Sequence, residues 1–549
     1  MKSIFWNRRG EFRLFLLYIP AVALTGAYAN LRPPMLEIVW DMVFYKGLAF
    51  GLHHFSTFDL NHHFPVPPLY PLLISPGFFA SDYLTVEWIQ SWINPALYFF
   101  GLYPLYAYSR RFLDQCASLF VCLLYLFYPS ASYTQWTMSE NLAAPLALCI
   151  MLYTARLLTD PRPRLRDGAL LGLAIAGVIL TRIFLIVFCA AALFWLANRT
   201  ARRDRDPAPV LMAFSTAFSI VVFVWWQLGY FTNHGPSLVY ADFNQNPLPS
   251  LLGSFLAIFS AHWTGLWLEG GLLITSMVVM RWLTAVLLPQ KNNHSFQEVV
   301  QLIVFLYAAC TVVVAWYYVR RMGFEPWSIS LRYIFYLNLI SLPVAVESLG
   351  ALRSASWPNR LIQIGVYTGI VLLFSAGFLM PASWAKFSDP AAFFSNAPSL
   401  DFLYQIRNEG PWAVFGFLGG VSCLAGAASL FSRRTGYLLL SASLLYLQLS
   451  TFDQLDKVRQ RAVQDSYAME IHDLCQQIQQ GKWEGLTLYC DDNIPLLVPN
   501  LYYWVNRPAG PWPEDGPRPH PPFLLVTRTA QPEGRLEFES GELKVYLFE

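Results

Sequence analysis

The sequence predicts a polytopic α-helical membrane protein with a small α/β domain after its last span. Three observations predict it. Of the 549 residues, 55% are hydrophobic and 13% are charged, about half the roughly 25% charge of a soluble domain. Apolar stretches recur along the chain at the ~18 residues that suggest a membrane span. Lysine and arginine collect in alternate loops, the mark of a fixed orientation in a bilayer.

Apolar runs place helices near 14–31, 88–108, 112–130, 141–158, 168–181, 183–198, 210–231, 265–283, 299–318, 333–350, 361–380, 412–431 and 436–450, about thirteen spans. With the N-terminus inside, the inner loops hold Arg8, Arg9 and Arg13; Arg110 and Arg111; Arg156, Arg162, Arg164 and Arg166; Arg199, Arg202, Arg203 and Arg205; Arg353 and Arg360; Arg433 and Arg434. The short outer loop at 131–140 holds none. The odd number of spans puts the C-terminus outside. Residues 1–13 are basic and precede an apolar run, as in a signal peptide. The run is long and lacks a small-residue cleavage site, so it reads as a retained first helix. A net charge of +2 leaves no nucleic-acid footprint. The aromatic fraction of 16% suits interfacial belts and equally suits sugar platforms.

Three outer regions exceed simple turns: 32–87, 232–264 and the tail. The chain therefore divides into a transmembrane domain, 1–450, and a C-terminal extracytoplasmic domain, 451–549. The tail opens with a polar helical stretch, Asp453 to Gln480, and continues with strand-like runs at 486–490, 523–527 and 543–548, punctuated by Gly and Pro. Most cysteines lie in or beside apolar runs and read as small hydrophobes. Cys475 and Cys490 lie in the polar tail, where an outside location permits a disulfide. No internal repeat of the transporter kind is visible.

The first outer loop carries the chemistry. It reads EIVWDMVFYKGLAFG, then HHFSTFDLNHHF, then PVPPLYPLLISPGFF. Asp41 sits there beside Trp40, four residues before Tyr45. A carboxylate at a membrane surface is either a general base for a hydroxyl acceptor or a solvated or capping acid.

WDMVFYKGLAFG followed by PPLYPLL resembles the first-loop signature of the GT-C glycosyltransferases, the superfamily of protein O-mannosyltransferases and the lipid A aminoarabinose transferase. Further similar segments follow in the same order. They are YTQWTMSENLAAPLALCIMLYTARLL, GLAIAGVILTRIFLIVF, HWTGLWLEGGLLI and SISLRYIFYLNLISLPVA. The resemblance spans roughly 35–345. One departure stands out: many members have two adjacent acids in the first loop, whereas Asp41 precedes Met42.

The resemblance implies an inverting transfer of a sugar from a polyprenyl-phosphate lipid to an acceptor hydroxyl on the outer membrane face. The acceptor is a lipid, glycan or protein. The setting it implies is the bacterial cytoplasmic membrane and cell envelope. Asp41 aligns with the catalytic base, and Glu140 matches the Ser-Glu position as a second carboxylate; capping of the fourth helix is its other reading. Leaving phosphate needs cations, and arginine suits a bidentate contact. Arg332, beside Tyr333, is the first candidate, with Arg320 nearby in sequence. Arg182, between two apolar runs, pairs with an acid or with the donor.

Tyr45, His62, His63, Tyr70 and His262 are candidates for the substrate-facing loops. The residue types at 53–63 also suit a divalent metal, but adjacent histidines point to different faces of a regular element, so substrate hydrogen bonding or a plain polar loop compete with that reading. A transporter or flippase of a lipid-linked or amphipathic substrate is the rival function. It calls for charges or broken helices at mid-membrane, whereas the polar residues here collect in outer loops and at outer helix ends.

The layout makes a direct prediction. A tag at the C-terminus should be digested by protease added outside sealed cells; a protected tag overturns the orientation.

Overall fold

A computed structural model describes residues 8–31, 40–53, 67–80, 83–203, 206–227, 272–287, 294–322, 335–354, 365 and 433–464. In the tail it describes 470, 473–474, 477–478, 480–483, 485–490, 509–511, 521–527, 531, 534–541 and 543–548. The expected helices at 361–380 (residue 365 apart) and 412–431 lie outside these residues, as does the outer region 232–264. The described chain forms two compact units. One comprises 1–26, 94–135 and 139–455; the other comprises 27–93, 136–138 and 456–549.

The helices run in chain order: α1 (Arg8–Asn30), α2 (Trp40–His53), α3 (Leu69–Ile74), α4 (Tyr83–Phe99), α5 (Leu102–Ser109), α6 (Gln115–Leu126), α7 (Glu140–Thr159), α8 (Leu165–Ile179), α9 (Ile186–Arg202), α10 (Ala208–Gln227), α11 (Leu272–Leu287), α12 (His294–Met322), α13 (Tyr336–Ser354) and α14 (Arg433–Gln464). Among the described residues, five helical stretches are long and apolar enough to cross a membrane: 12–30, 140–159, 183–202, 208–227 and 296–314. Of these α7 is the most enclosed and α1 the least. Phe12, Phe15, Leu16 and Leu24 of α1 are exposed, as are Phe214, Phe218, Phe223 and Trp226 of α10. Such faces suit a hydrocarbon surrounding, where helices satisfy their own backbone groups.

Two expected spans are broken. The run at 112–130 becomes α6 and a 3-10 turn, Pro129–Gln135, bent by 52°. Pro129 has no N–H, and it disfavours helical backbone in the residue before it. The run at 88–108 becomes α4 and α5, divided at Phe100–Gly101. A Cβ on Gly101 would stand 2.5 Å from the Tyr125 hydroxyl, so only glycine allows this approach. In the opposite direction, the span at 436–450 and the polar stretch after Asp453 join as α14, because no Gly or Pro interrupts residues 437–464. The region 32–87 is more helical than a loop reading implies, with α2, α3, a 3-10 turn at Ser75–Phe79 and the start of α4.

Among the described residues, α8 packs closely on α10. A Cβ on Gly168 would lie 2.1 Å from the Pro209 carbonyl oxygen, and one on Gly172 would lie 2.6 Å from that of Ala213. Small residues at helix crossings let backbones approach where burying apolar surface gains little, as in lipid.

In the tail, β1 (Thr487–Cys490), β2 (Ala509–Pro511), β3 (Phe523–Thr527), β4 (Arg535–Ser540) and β5 (Leu543–Phe548) form one sheet in the order β2-β1-β3-β5-β4. β1 runs parallel to β2 and β3, and β5 runs antiparallel to β3 and β4. The three strand-like runs are strands. β2 is too short to read, and β4 is a largely exposed edge strand rich in charge. All of β3 is buried, as a continuous apolar run predicts. The buried Glu470 carboxylate accepts the Leu543 amide at 3.1 Å. It lies so close to Gly541, at φ +56°, that a Cβ there would fall 1.8 Å from it. Cys490 ends β1, buried; Cys475 lies outside the described residues.

Gly168→Ala should force α8 and α10 apart and cost roughly 1–3 kcal/mol, the usual range for overpacking. A lowered thermal unfolding midpoint in detergent checks it; an unchanged midpoint refutes the close contact.

Candidate active site

Glu140 is the first residue of α7 and is fully buried. Arg182, 5% exposed, stands between α8 and a short 3-10 turn, Ile183–Leu185, in extended backbone. Its guanidinium forms an ion pair with Glu140. Arg182 Nη1 also donates to Ser139 Oγ at 3.1 Å, and Ser139 Oγ donates to Glu140 Oε2 at 3.4 Å. Arg182 therefore meets an acid, and that acid is Glu140. The carboxylate also sits in the first turn of α7, where the helix dipole favours negative charge. Burying two charges is costly, and hydrogen bonds around the pair offset part of the cost.

The second unit holds a comparable pair. Lys46 of α2 is fully buried and ion-paired with Glu87 of α4, which is 18% exposed. The adjacent Tyr45 is buried and meets Tyr70 of α3 edge-on, ring centroids 5.4 Å apart. α2 also packs on the turn Ser75–Phe79: His53 meets Phe79 edge-on at 4.6 Å. That turn lies close to α4, where a Cβ on Gly77 would be 3.0 Å from Gln90 Cγ. Asp41 lies on α2, one helical turn before Tyr45.

Nothing local in the sequence marks Lys46 as paired, since Glu87 is 41 residues away. A compositional signal was present. Lys46 is the sole lysine between Lys2 and Lys291, a stretch whose other permanent cations are all arginine.

The structure thus brings Glu140 to Arg182 and Tyr45 to Tyr70. Arg332, Tyr333, His62, His63 and His262 lie outside the described residues. Asp41 and Arg320 are placed on α2 and α12, and only their backbone is described. Among the described residues no group of three or more His, Cys, Asp or Glu could hold a metal.

The architecture defines a class, a helical membrane protein with a small mixed sheet, and comparison with known proteins sharpens it. Residues 66–226 match the family Dolichyl-phosphate-mannose-protein mannosyltransferase. The crystal structure of ArnT from Cupriavidus metallidurans in the apo state is similar at a TM-score of 0.56 and 13% identity, covering 97% of each chain. Its structure bound to undecaprenyl phosphate is similar at 0.56 and 14%, again over 97% of each. No curated protein sequence matches the chain. The chain shares the fold of these ArnT structures, as the resemblance of its motifs implied.

Breaking either buried pair from one side should cost roughly 3–5 kcal/mol, because the remaining charge is left uncompensated. Arg182→Met should therefore unfold at a clearly lower temperature than Glu140→Gln/Arg182→Met. Lys46→Met should likewise fall below Lys46→Met/Glu87→Leu. Equal losses in single and double variants would show that the charges do not interact.

Proposed function

We propose that this protein transfers a sugar from a polyprenyl-phosphate lipid to an acceptor hydroxyl at the outer membrane face, with inversion. The observation that carries the reading is the mannosyltransferase match at residues 66–226, on a chain with the ArnT fold throughout. That ArnT crystallises with undecaprenyl phosphate supports a polyprenyl-phosphate donor.

In this reading Asp41 takes the acceptor proton as the acceptor oxygen bonds to the anomeric carbon. The bond from that carbon to the phosphate oxygen breaks, and its electron pair leaves with the lipid phosphate. Arg332, with Tyr333 and Arg320, meets the developing charge. Arg182 is already matched by Glu140, so this pair serves better to hold the outer ends of α7 and α8 than to bind donor. Tyr45 and Tyr70, locked together behind Asp41 in the chain, brace α2. His62, His63 and His262 supply hydrogen bonds to substrate.

The test uses purified protein in detergent with a panel of undecaprenyl-phosphate hexoses and pentoses and a cell-envelope extract as acceptor. Asp41→Asn should lower turnover by roughly 10²–10⁴-fold and leave donor binding little changed. Arg332→Ala should weaken donor binding and also slow the step. Full turnover by Asp41→Asn would remove the base assignment. Movement of an intact lipid-linked sugar across vesicles, with no transfer, would replace the enzyme reading by a flippase.

A further inference from the structure

Two groups of arginines stand out among the described residues on the side assigned to the inside. One set ties helices together. Arg111 pairs with Asp160, Arg156 with Asp167 at 3.2 Å, Arg203 with Glu298, and Arg281 with Glu347 at 3.3 Å. The other set is the α7–α8 connection, Pro161-Arg162-Pro163-Arg164-Leu165-Arg166. Its three arginine side chains are exposed and take part in no hydrogen bond or ion pair among the described residues. The two carboxylates that flank it in sequence, Asp160 and Asp167, are the ones held by Arg111 and Arg156.

The local chemistry fits one purpose. Pro161 and Pro163 restrict the backbone and remove two amide donors. Arg164 is extended, at φ −97° and ψ 143°. Arg162 and Arg164 lie two residues apart, just after a bend at 161–162. Leu165 between the basic side chains is 50% exposed. Closely spaced guanidinia around an apolar side chain match a surface with phosphates outside and hydrocarbon beneath. Arginine contacts phosphate oxygens through paired N–H groups.

We propose that the α7–α8 connection is a docking site for anionic phospholipid of the inner leaflet, with Arg162, Arg164 and Arg166 on the phosphates and Leu165 in the acyl boundary. The proposal goes beyond sugar transfer and does not depend on it. The free guanidinia are the reason: Arg111, Arg156, Arg203 and Arg281 have protein carboxylates, and among the described residues these three have none.

The test titrates short-chain phosphatidylglycerol, against phosphatidylcholine as the neutral control, into purified full-length protein in detergent. The thermal unfolding midpoint reads binding. Phosphatidylglycerol should raise the midpoint of the wild-type protein. In Arg162→Gln/Arg164→Gln/Arg166→Gln the apparent affinity should fall by roughly a hundredfold, since each of the three basic residues contributes about 1 kcal/mol near an anionic surface. If the triple variant does not fold, Arg164→Gln alone should show a partial loss. An undiminished response in the folded variants overturns the proposal. So does an equal rise with phosphatidylcholine, or with millimolar inorganic phosphate, which would indicate a plain anion site.

Discussion

Charge in an apolar interior must be matched, and this constraint organises the described structure. Arg182 and Glu140 join α7 to the segment after α8, and Lys46 and Glu87 join α2 to α4. Arg156–Asp167, Arg203–Glu298 and Arg281–Glu347 do the same at other helix contacts. Apolar packing alone allows helices to rotate or slide at little cost. A buried pair of opposite charges allows far less, because separating the charges leaves each one uncompensated. Each pair therefore sets a register.

Close backbone contact supplies the second constraint. At α8 and α10, Gly168 and Gly172 let the helices meet where a single methyl group would collide with a carbonyl oxygen. At Gly101 the same device brings the α4–α5 junction to Tyr125, whose hydroxyl donates to the Tyr98 carbonyl at 2.8 Å. The Tyr98 and Tyr125 rings also stack, with centroids 4.9 Å apart. The break between α4 and α5 is thus filled by aromatic side chains.

These constraints bear on the proposed chemistry through α2. Its apolar and basic residues, Tyr45, Lys46, Leu48 and Ala49, are buried, and they hold the helix against α3, α4 and the turn at Ser75–Phe79. A general base works only where its carboxylate stays within hydrogen-bond reach of the acceptor proton. A helix fixed on its packed side carries Asp41 at a set height and rotation.

The sequence alone determined the helical membrane class, because length and hydrophobicity of a span are local properties that the bilayer reads directly. It determined β1, β3 and β5, whose apolar runs need no partner to be recognised, and the family resemblance, which lies in ordered short motifs. It did not determine where spans break, since Pro129 and Gly101 act only against the neighbours that the fold supplies. Nor did it reveal that α14 continues as one helix, that the described part of 32–87 is largely helical, or that β4 joins β5 as an exposed edge. Glu140 was legible as an acid at a helix start, yet its partner is 42 residues away, and the partner of Lys46, Glu87 on α4, is 41 residues away. Burial and charge pairing depend on residues distant in sequence, so only the tertiary structure decided them.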